Sequence, residues 1–158
     1  QAFSGCSALT EIDFPAVTFA GNQAFYGCSS VTSINMPALK TVDPLAFSRL
    51  TSLESVYLPA LTNLESSTFA NCTALRKVDF PSMYAIRYSP FDGCTALETV
   101  ILRGDKVVIL TKNGAFDNTP IGAGTGYIYV PFALIDSYKA DEKWSLYANQ
   151  FRAIEDLN

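Results

Sequence analysis

Histidine is absent from all 158 residues. That gap removes the Ser-His-Asp and Cys-His arrangements of nucleophilic catalysis, and the commonest metal-binding side chain with them. Charge is scarce too. Asp, Glu, Lys and Arg make up 16% of the chain, with a net charge of −4 and no long run of either sign. The isoelectric point lies near 4.7. Nucleic acids and anionic membrane surfaces are recognised by clustered Lys and Arg, so neither is an expected partner. No apolar run approaches the ~20 residues of a membrane helix, so no membrane insertion is expected of this segment. The four cysteines include no Cys-x-x-Cys pair, which leaves no zinc-type spacing and no expected cofactor or metal. Hydrophobic residues, by contrast, reach 49%, which argues against disorder and for a core of one domain's size.

What fills the chain is a repeat. AFSGCSAL, AFYGCSSV and FDGCTAL recur, and the anchor phenylalanines are Phe3, Phe25, Phe47, Phe69, Phe91 and Phe116, spaced 22, 22, 22, 22 and 25. Three residues on stand Cys6, Cys28, Leu50, Cys72, Cys94 and Thr119. Six on come Leu9, Val31, Leu53, Leu75 and Leu97, and nine on Ile12, Ile34, Val56, Val78 and Val100. Eleven on come Phe14, Met36, Leu58, Phe80 and Leu102, with Pro15, Pro37, Pro59 and Pro81 following. Two further apolar columns are Val17, Leu39, Leu61, Met83 and Ala20, Val42, Leu64, Ile86.

These columns translate into geometry. In Glu11-Ile12-Asp13-Phe14, and again in SINMP, SVYLP, KVDFP and TVILR, apolar and polar residues alternate, as in a strand with one buried face. Proline closes each strand because it has no N–H for the ladder. A second short extended piece is expected at Ala20, Val42, Leu64 and Ile86. The Ala-Phe-x-Gly-Cys segment is expected to turn the chain in one helical or 3₁₀ turn. One such coil cannot bury its own apolar face but a stack can. Successive strands then run the same way, and the phenylalanines form an aromatic spine. The cysteines read as small buried thiols under the turn, since Leu50 and Thr119 occupy the same column. The alternatives are a disulfide between neighbouring coils, with poorly aimed sulfurs, and a metal or redox site.

With this pattern, LxxIxφPxxφxxφxxxAFxGCxxL with φ apolar, the chain resembles the BspA-type leucine-rich repeat family. The resemblance covers about residues 1–131. It implies a repeat solenoid of leucine-rich-repeat type, a β-rich right-handed superhelix with parallel sheets, short helical turns and a C-terminal helical cap. The expected organisation is a solenoid of about six coils of 22–25 residues over 1–131 and a cap over 132–158. The tail resembles the family's ending, with Tyr127-Ile128-Tyr129-Val130-Pro131 as a last strand, then a helical stretch with Tyr138, Trp144 and Tyr147. Trp144 and the tyrosines are weighed as a sugar-binding platform and read in preference as part of the cap. The family resembles bacterial adhesins, which implies an extracellular or cell-surface location, a protein or glycan partner on a host or neighbouring cell, and no catalytic residues to carry over. Departures from the pattern are Leu50 for Cys, Arg103 for the strand-ending Pro, and insertions in coils five and six. The chain opens on Gln1-Ala2-Phe3, inside a repeat. It is therefore expected to be a piece of something longer, its first coil covered by a neighbour upstream or by another chain.

Short motifs remain. Arg103-Gly104-Asp105 is an integrin-type triplet, but Gly and Asp are ordinary turn residues. Asn71-Cys72-Thr73 has the glycosylation spacing, with Cys72 expected in the core. Gly122-Ala123-Gly124-Thr125-Gly126 precedes a strand rather than a helix, so it reads as a flexible insertion and not a phosphate loop.

The expected functional surface is the solvent face of the main sheet. Its candidate binding residues are Glu11, Asp13, Asn35, Tyr57, Lys77, Asp79 and Ile101, with Tyr57 and Ile101 as apolar anchors and Tyr57 as the leading one. The equally plain reading is a set of merely solvated strand positions. A non-catalytic binding module is favoured, with a passive spacer displaying another domain as the alternative. A polysaccharide-cleaving enzyme is disfavoured: Asp13 and Asp79, three coils apart, stand roughly 14 Å apart by strand spacing, too far for a carboxylate pair.

Overall fold

The computed structural model of the chain describes residues 1–157. The expected strands are present as two columns. The first holds β1 (Glu11–Asp13), β3 (Ser33–Asn35), β5 (Ser55–Tyr57), β7 (Lys77–Phe80), β9 (Thr99–Leu102) and β11 (Tyr127–Val130). The second, shorter column holds β2 (Phe19–Ala20), β4 (Thr41–Val42), β6 (Asn63–Leu64), β8 (Ala85–Ile86) and β10 (Ile109–Leu110). All pairs are parallel. Val56 lies opposite Val78, Val78 opposite Val100, and Val100 opposite Ile128. The fold is a repeat solenoid of leucine-rich-repeat type, with the inward residues of both columns filling one core.

Between the columns, the phenylalanines stack. Ring centroids are 5.3 Å apart for Phe3–Phe25, 5.5 Å for Phe25–Phe47, 5.4 Å for Phe47–Phe69, 6.1 Å for Phe69–Phe91 and 5.7 Å for Phe91–Phe116. Each such pair contributes about 0.5–1.5 kcal/mol beyond its area burial. The turn under each ring closes with a helical-type bond, such as Cys28 N–H to the Phe25 carbonyl at 3.2 Å and Cys94 N–H to that of Phe91 at 2.9 Å. It stays one turn long because left-handed residues flank it. Two positions before the ring stand Gln23, Leu45, Ser67, Ser89 and Gly114, and two after it Gly5, Gly27, Arg49, Asn71, Gly93 and Asn118, all with positive φ. A right-handed helix cannot pass through either column.

The cysteines do more than fill space. Cys28, Cys72 and Cys94 each donate Sγ–H to the phenylalanine carbonyl of the preceding coil, Phe3, Phe47 and Phe69, at 3.0, 3.2 and 3.0 Å. All four cysteines are free thiols. Burial pushes the Cys28 thiol up. Cys94 is pushed up first by its contact with the Cys72 thiol in the preceding coil and then by burial. Cys6 departs from the expected buried state: it is exposed, because no described residue covers the outer side of the first coil. Phe3, Leu9 and Phe14 are only partly buried there.

Both sheets are interrupted at one level. β3 has no ladder pairing with β5, nor β4 with β6, although the strands stay adjacent there and Thr62 N–H still donates to the Lys40 carbonyl at 3.3 Å. The turn ladder runs on across the seam, with Phe25 N–H donating to the Ala46 carbonyl and Gly27 N–H to that of Ser48, both at 2.9 Å. The coil beyond the seam is the one in which Leu50 replaces cysteine, so the Phe25 carbonyl lacks the thiol rung. Ile34, beside the seam, is only partly buried.

Past Pro131 come a 3₁₀ turn (Phe132–Leu134), helix α1 (Ile135–Ala140) and a kinked 3₁₀ stretch (Trp144–Gln150). Trp144 and Tyr147 continue the spine, 5.9 and 5.2 Å from Phe116. Val108, in the coil-five insertion, is clamped from both sides. Its carbonyl accepts Trp144 Nε1–H at 2.6 Å, and its N–H donates to the Tyr138 hydroxyl at 3.1 Å. Burial lifts that phenol to about 12. Trp144 is fully buried, so it offers no platform to a sugar. The tail also returns to the sheet as β12 (Phe151–Ala153), parallel to β11, a strand with no repeat phase to announce it. The glycine-rich insertion is packed rather than loose. A Cβ on Gly122 would strike the Phe116 carbonyl, and one on Gly126 would lie 2.9 Å from that of Glu98. Ile121 anchors the loop in the core.

Three outcomes are expected. Phe47→Ala, with rings on both sides, lowers stability by about 3–5 kcal/mol; an unchanged melting temperature refutes the spine. A Cβ on Gly27 would make only an ordinary contact, 4.0 Å from Gly5 Cα, but φ there is +72°. Gly27→Val therefore costs about 1–2 kcal/mol for conformational reasons alone, and Gly27→Asn clearly less, in denaturant titrations. A thiol reagent labels Cys6 in the folded protein, and Cys28, Cys72 and Cys94 only after unfolding without reductant. Fewer than four thiols in the unfolded chain would contradict the thiol ladder.

Candidate functional site

Strand alternation places Glu11 and Asp13 outward on β1, Ser33 and Asn35 on β3, Ser55 and Tyr57 on β5, Lys77 and Asp79 on β7, and Thr99 and Ile101 on β9. Register aligns them in two rows, Ser55–Lys77–Thr99–Tyr127 and Tyr57–Asp79–Ile101–Tyr129. The seam splits the candidates. Glu11, Asp13 and Asn35 sit on the two-stranded sheet, where Asn35 Nδ2–H donates to Asp13 Oδ1 at 2.7 Å. Tyr57, Lys77, Asp79 and Ile101 sit on the five-stranded sheet.

Two of the candidates are not free surface. Ile101 is 1% exposed and Asp79 is 8% exposed. Ile101 is flanked in register by Asp79 and Tyr129, and the Arg103 side chain reaches across to Asp79. Ile101 is therefore packed, and it offers no apolar anchor to a ligand. Arg103 Nε donates to both Asp79 oxygens, at 2.9 and 3.1 Å, and Nη2 to Oδ2 at 2.8 Å. This bidentate pairing to Asp79 holds the guanidinium above its ordinary pKa. It also fastens the first residue of the Arg-Gly-Asp triplet to the sheet, so the Arg103 side chain is not free to project beside Asp105.

Tyr57 remains 58% exposed. With Ser55, Val56, Lys77 and Asp79 it lines a shallow depression of about 260 Å³. Lys77 is exposed and has no ion-pair partner among the described residues. Four side chains were missed as parts of this surface: Arg103, Tyr127, Tyr129 and Arg152. Arg103 carried a signal, since it stands where four coils have proline. Tyr127 and Tyr129 alternate with Ile128 and Val130, which marked them as outward. Arg152 lies on β12 with its guanidinium 4.4 Å from the Tyr127 ring centroid, and nothing in its sequence context signals that meeting. Among the described residues, no three Cys, Asp or Glu side chains converge to hold a metal ion. No helix there is long and apolar enough to cross a membrane.

Comparison with known proteins follows the same lines. The chain is similar to a leucine-rich repeat protein from Bacteroides ovatus, at 28% identity and TM-score 0.60, covering 69% of this chain and 31% of that one. It is also similar to a leucine rich cell surface protein from Faecalibacterium prausnitzii, at 28% identity and TM-score 0.67, covering 82% of this chain and 35% of that one. The chain thus spans about a third of each of those proteins. Among curated proteins, none matches this sequence. The profile of the BspA type leucine rich repeat region matches residues 1–122 in six copies, the same stretch whose phenylalanines, thiols and parallel strands stack above, and the chain belongs to that family.

Proposed function

We propose that this chain is a non-catalytic binding module of a bacterial cell-surface or secreted protein, adhering to a protein or glycan on a host or neighbouring cell through the outer face of its five-stranded sheet. Residues 1–131 are the display scaffold in this reading, and 132–158 its cap. Family membership and similarity to a cell surface protein support a repeat module of binding or structural type, in a family that is typically non-catalytic. The observation that carries the binding reading is the depression in which the exposed Tyr57 ring stands beside the unpaired Lys77 ammonium. An exposed tyrosine next to a free cation is a composition found at interface anchors. The carboxylates give little to an acid–base mechanism, because Asp79 is chelated by Arg103 and Asp13 is engaged by Asn35.

The test is binding of the purified domain to a panel of extracellular-matrix proteins and glycans, beside a Tyr57→Ala, Lys77→Glu double variant. Both side chains are exposed, so the variant is expected to fold. A ligand whose affinity falls by about tenfold or more in the variant supports the sheet-face site. A ligand bound equally by both forms, or no ligand at all, favours a passive spacer.

A further inference from the structure

We infer that the five-stranded face takes an acidic glycan, a saccharide chain bearing carboxylates, laid across β5, β7, β9, β11 and β12; this deepens the sheet-face reading and rests on it. The chain is acidic overall, at −4, yet two exposed cations without an acidic partner among the described residues, Lys77 and Arg152, stand on this half of the face. Lys77 is free. Arg103 uses Nε and Nη2 on Asp79, so that carboxylate is neutralised and does not repel an anion. Arg152 is fixed over Tyr127, with Nη1 donating to the carbonyls of Asn149 and Phe151 at 3.0 and 2.7 Å. At the strand starts, Arg76 and Glu98 form a pair at 4.0 Å, which leaves Glu54 as the one uncompensated carboxylate there. Beyond the seam the sign reverses, with Glu11 and Asp13 outward and no cation on β1 or β3. An anion has one half of the solenoid to bind and is repelled from the other.

The same surface favours sugar over peptide. β7, β9 and β11 are paired on both sides, so only the edge strands β5 and β12 have free backbone groups for an added peptide strand, and none lie across the face itself. Recognition rests on side chains. Tyr57 and Tyr127 are 58% and 40% exposed and stand three strand intervals and one row apart, about 16 Å. Tyr57 offers an apolar face to the C–H face of a pyranose and a hydroxyl to its neighbours, while Tyr127, whose ring lies under the Arg152 guanidinium, offers its exposed edge and hydroxyl. Ser55, Thr99 and the Asp79–Arg103 pair supply hydrogen-bonding groups for sugar hydroxyls. Lys77 and Arg152 supply the charge-assisted bonds to carboxylates.

The probes are an oligogalacturonate, its fully methyl-esterified form (the same chain with its charge removed) and poly-glutamate, titrated calorimetrically into the intact chain at two salt concentrations. The oligogalacturonate is expected to bind, and the ester about tenfold or more weaker, with the acid's affinity falling as salt rises. Lys77→Gln and Arg152→Gln are each expected to weaken the acid by about threefold or more, Lys77→Gln with the melting temperature unchanged and Arg152→Gln with a small drop for its lost bonds to the Asn149 and Phe151 carbonyls. Equal binding of acid and ester overturns the acidic inference. So does binding of poly-glutamate without the uronate, or no binding of any probe. In the first two cases, sensitivity to Tyr57→Ala keeps the sheet-face reading alone. A probe that binds but ignores Tyr57→Ala sinks the sheet-face reading itself.

Discussion

The first five coils lie on one another with residue n over residue n+22, and that registry is the constraint on which the rest of the structure depends. It brings like over like: phenylalanine on phenylalanine, thiol beside thiol, valine opposite valine. A single coil has no interior, so its apolar side chains become buried only when neighbours are in phase. A slip of one residue in a strand would turn the Ile12–Val56–Val100 column outward and bring the Asp13–Tyr57 column inward. Turn, strand and spine are therefore mutually dependent, and the turn carries an added tie in the thiol that donates to the carbonyl of the coil before it.

The departures from registry give the molecule its particular shape. Where Leu50 replaces cysteine, the thiol rung is lost, and next to that coil both sheets are interrupted. Non-glycine residues hold left-handed backbone at Leu45 and Arg49 in the same coil. This conformational cost is met by the packing of Phe47 between its two neighbours. At the other end, the extra residues of coil five would leave Val108 with unpaired polar groups. Trp144 and Tyr138 satisfy them, which locks the tail to the insertion. No buried side-chain nitrogen or oxygen among the described residues lacks a hydrogen-bond partner.

The same departures shape the candidate surface. A regular coil would have ended β9 with proline; arginine stands there instead, and it crosses the face to chelate Asp79. That one exchange neutralises the carboxylate beside the buried Ile101 and leaves Tyr57 and Lys77 as the accessible pair. The seam then separates this pair from the outward carboxylates Glu11 and Asp13 of β1. A surface that reads as one mixed stripe is in the folded chain two surfaces of different sign, and the binding proposal concerns only the one with aromatic rings and free cations.

The repeat made the architecture legible from residues alone, because a 22-residue period with period-two alternation inside it has few physical solutions. The phenylalanine spine, both strand columns and the burial of Trp144 follow from composition and phase. The outward direction of Tyr57 and Lys77 follows from alternation. What the sequence by itself could not determine is what happens between residues that share no phase. Arg103 meets Asp79 across 24 positions and Trp144 meets Val108 across 36. β12 joins β11, and Arg152 settles on Tyr127, with no repeat to align them. Periodicity reports which face a side chain leaves from; exposure depends on which neighbours then lean over it. For Ile101 that second, tertiary fact reversed the first.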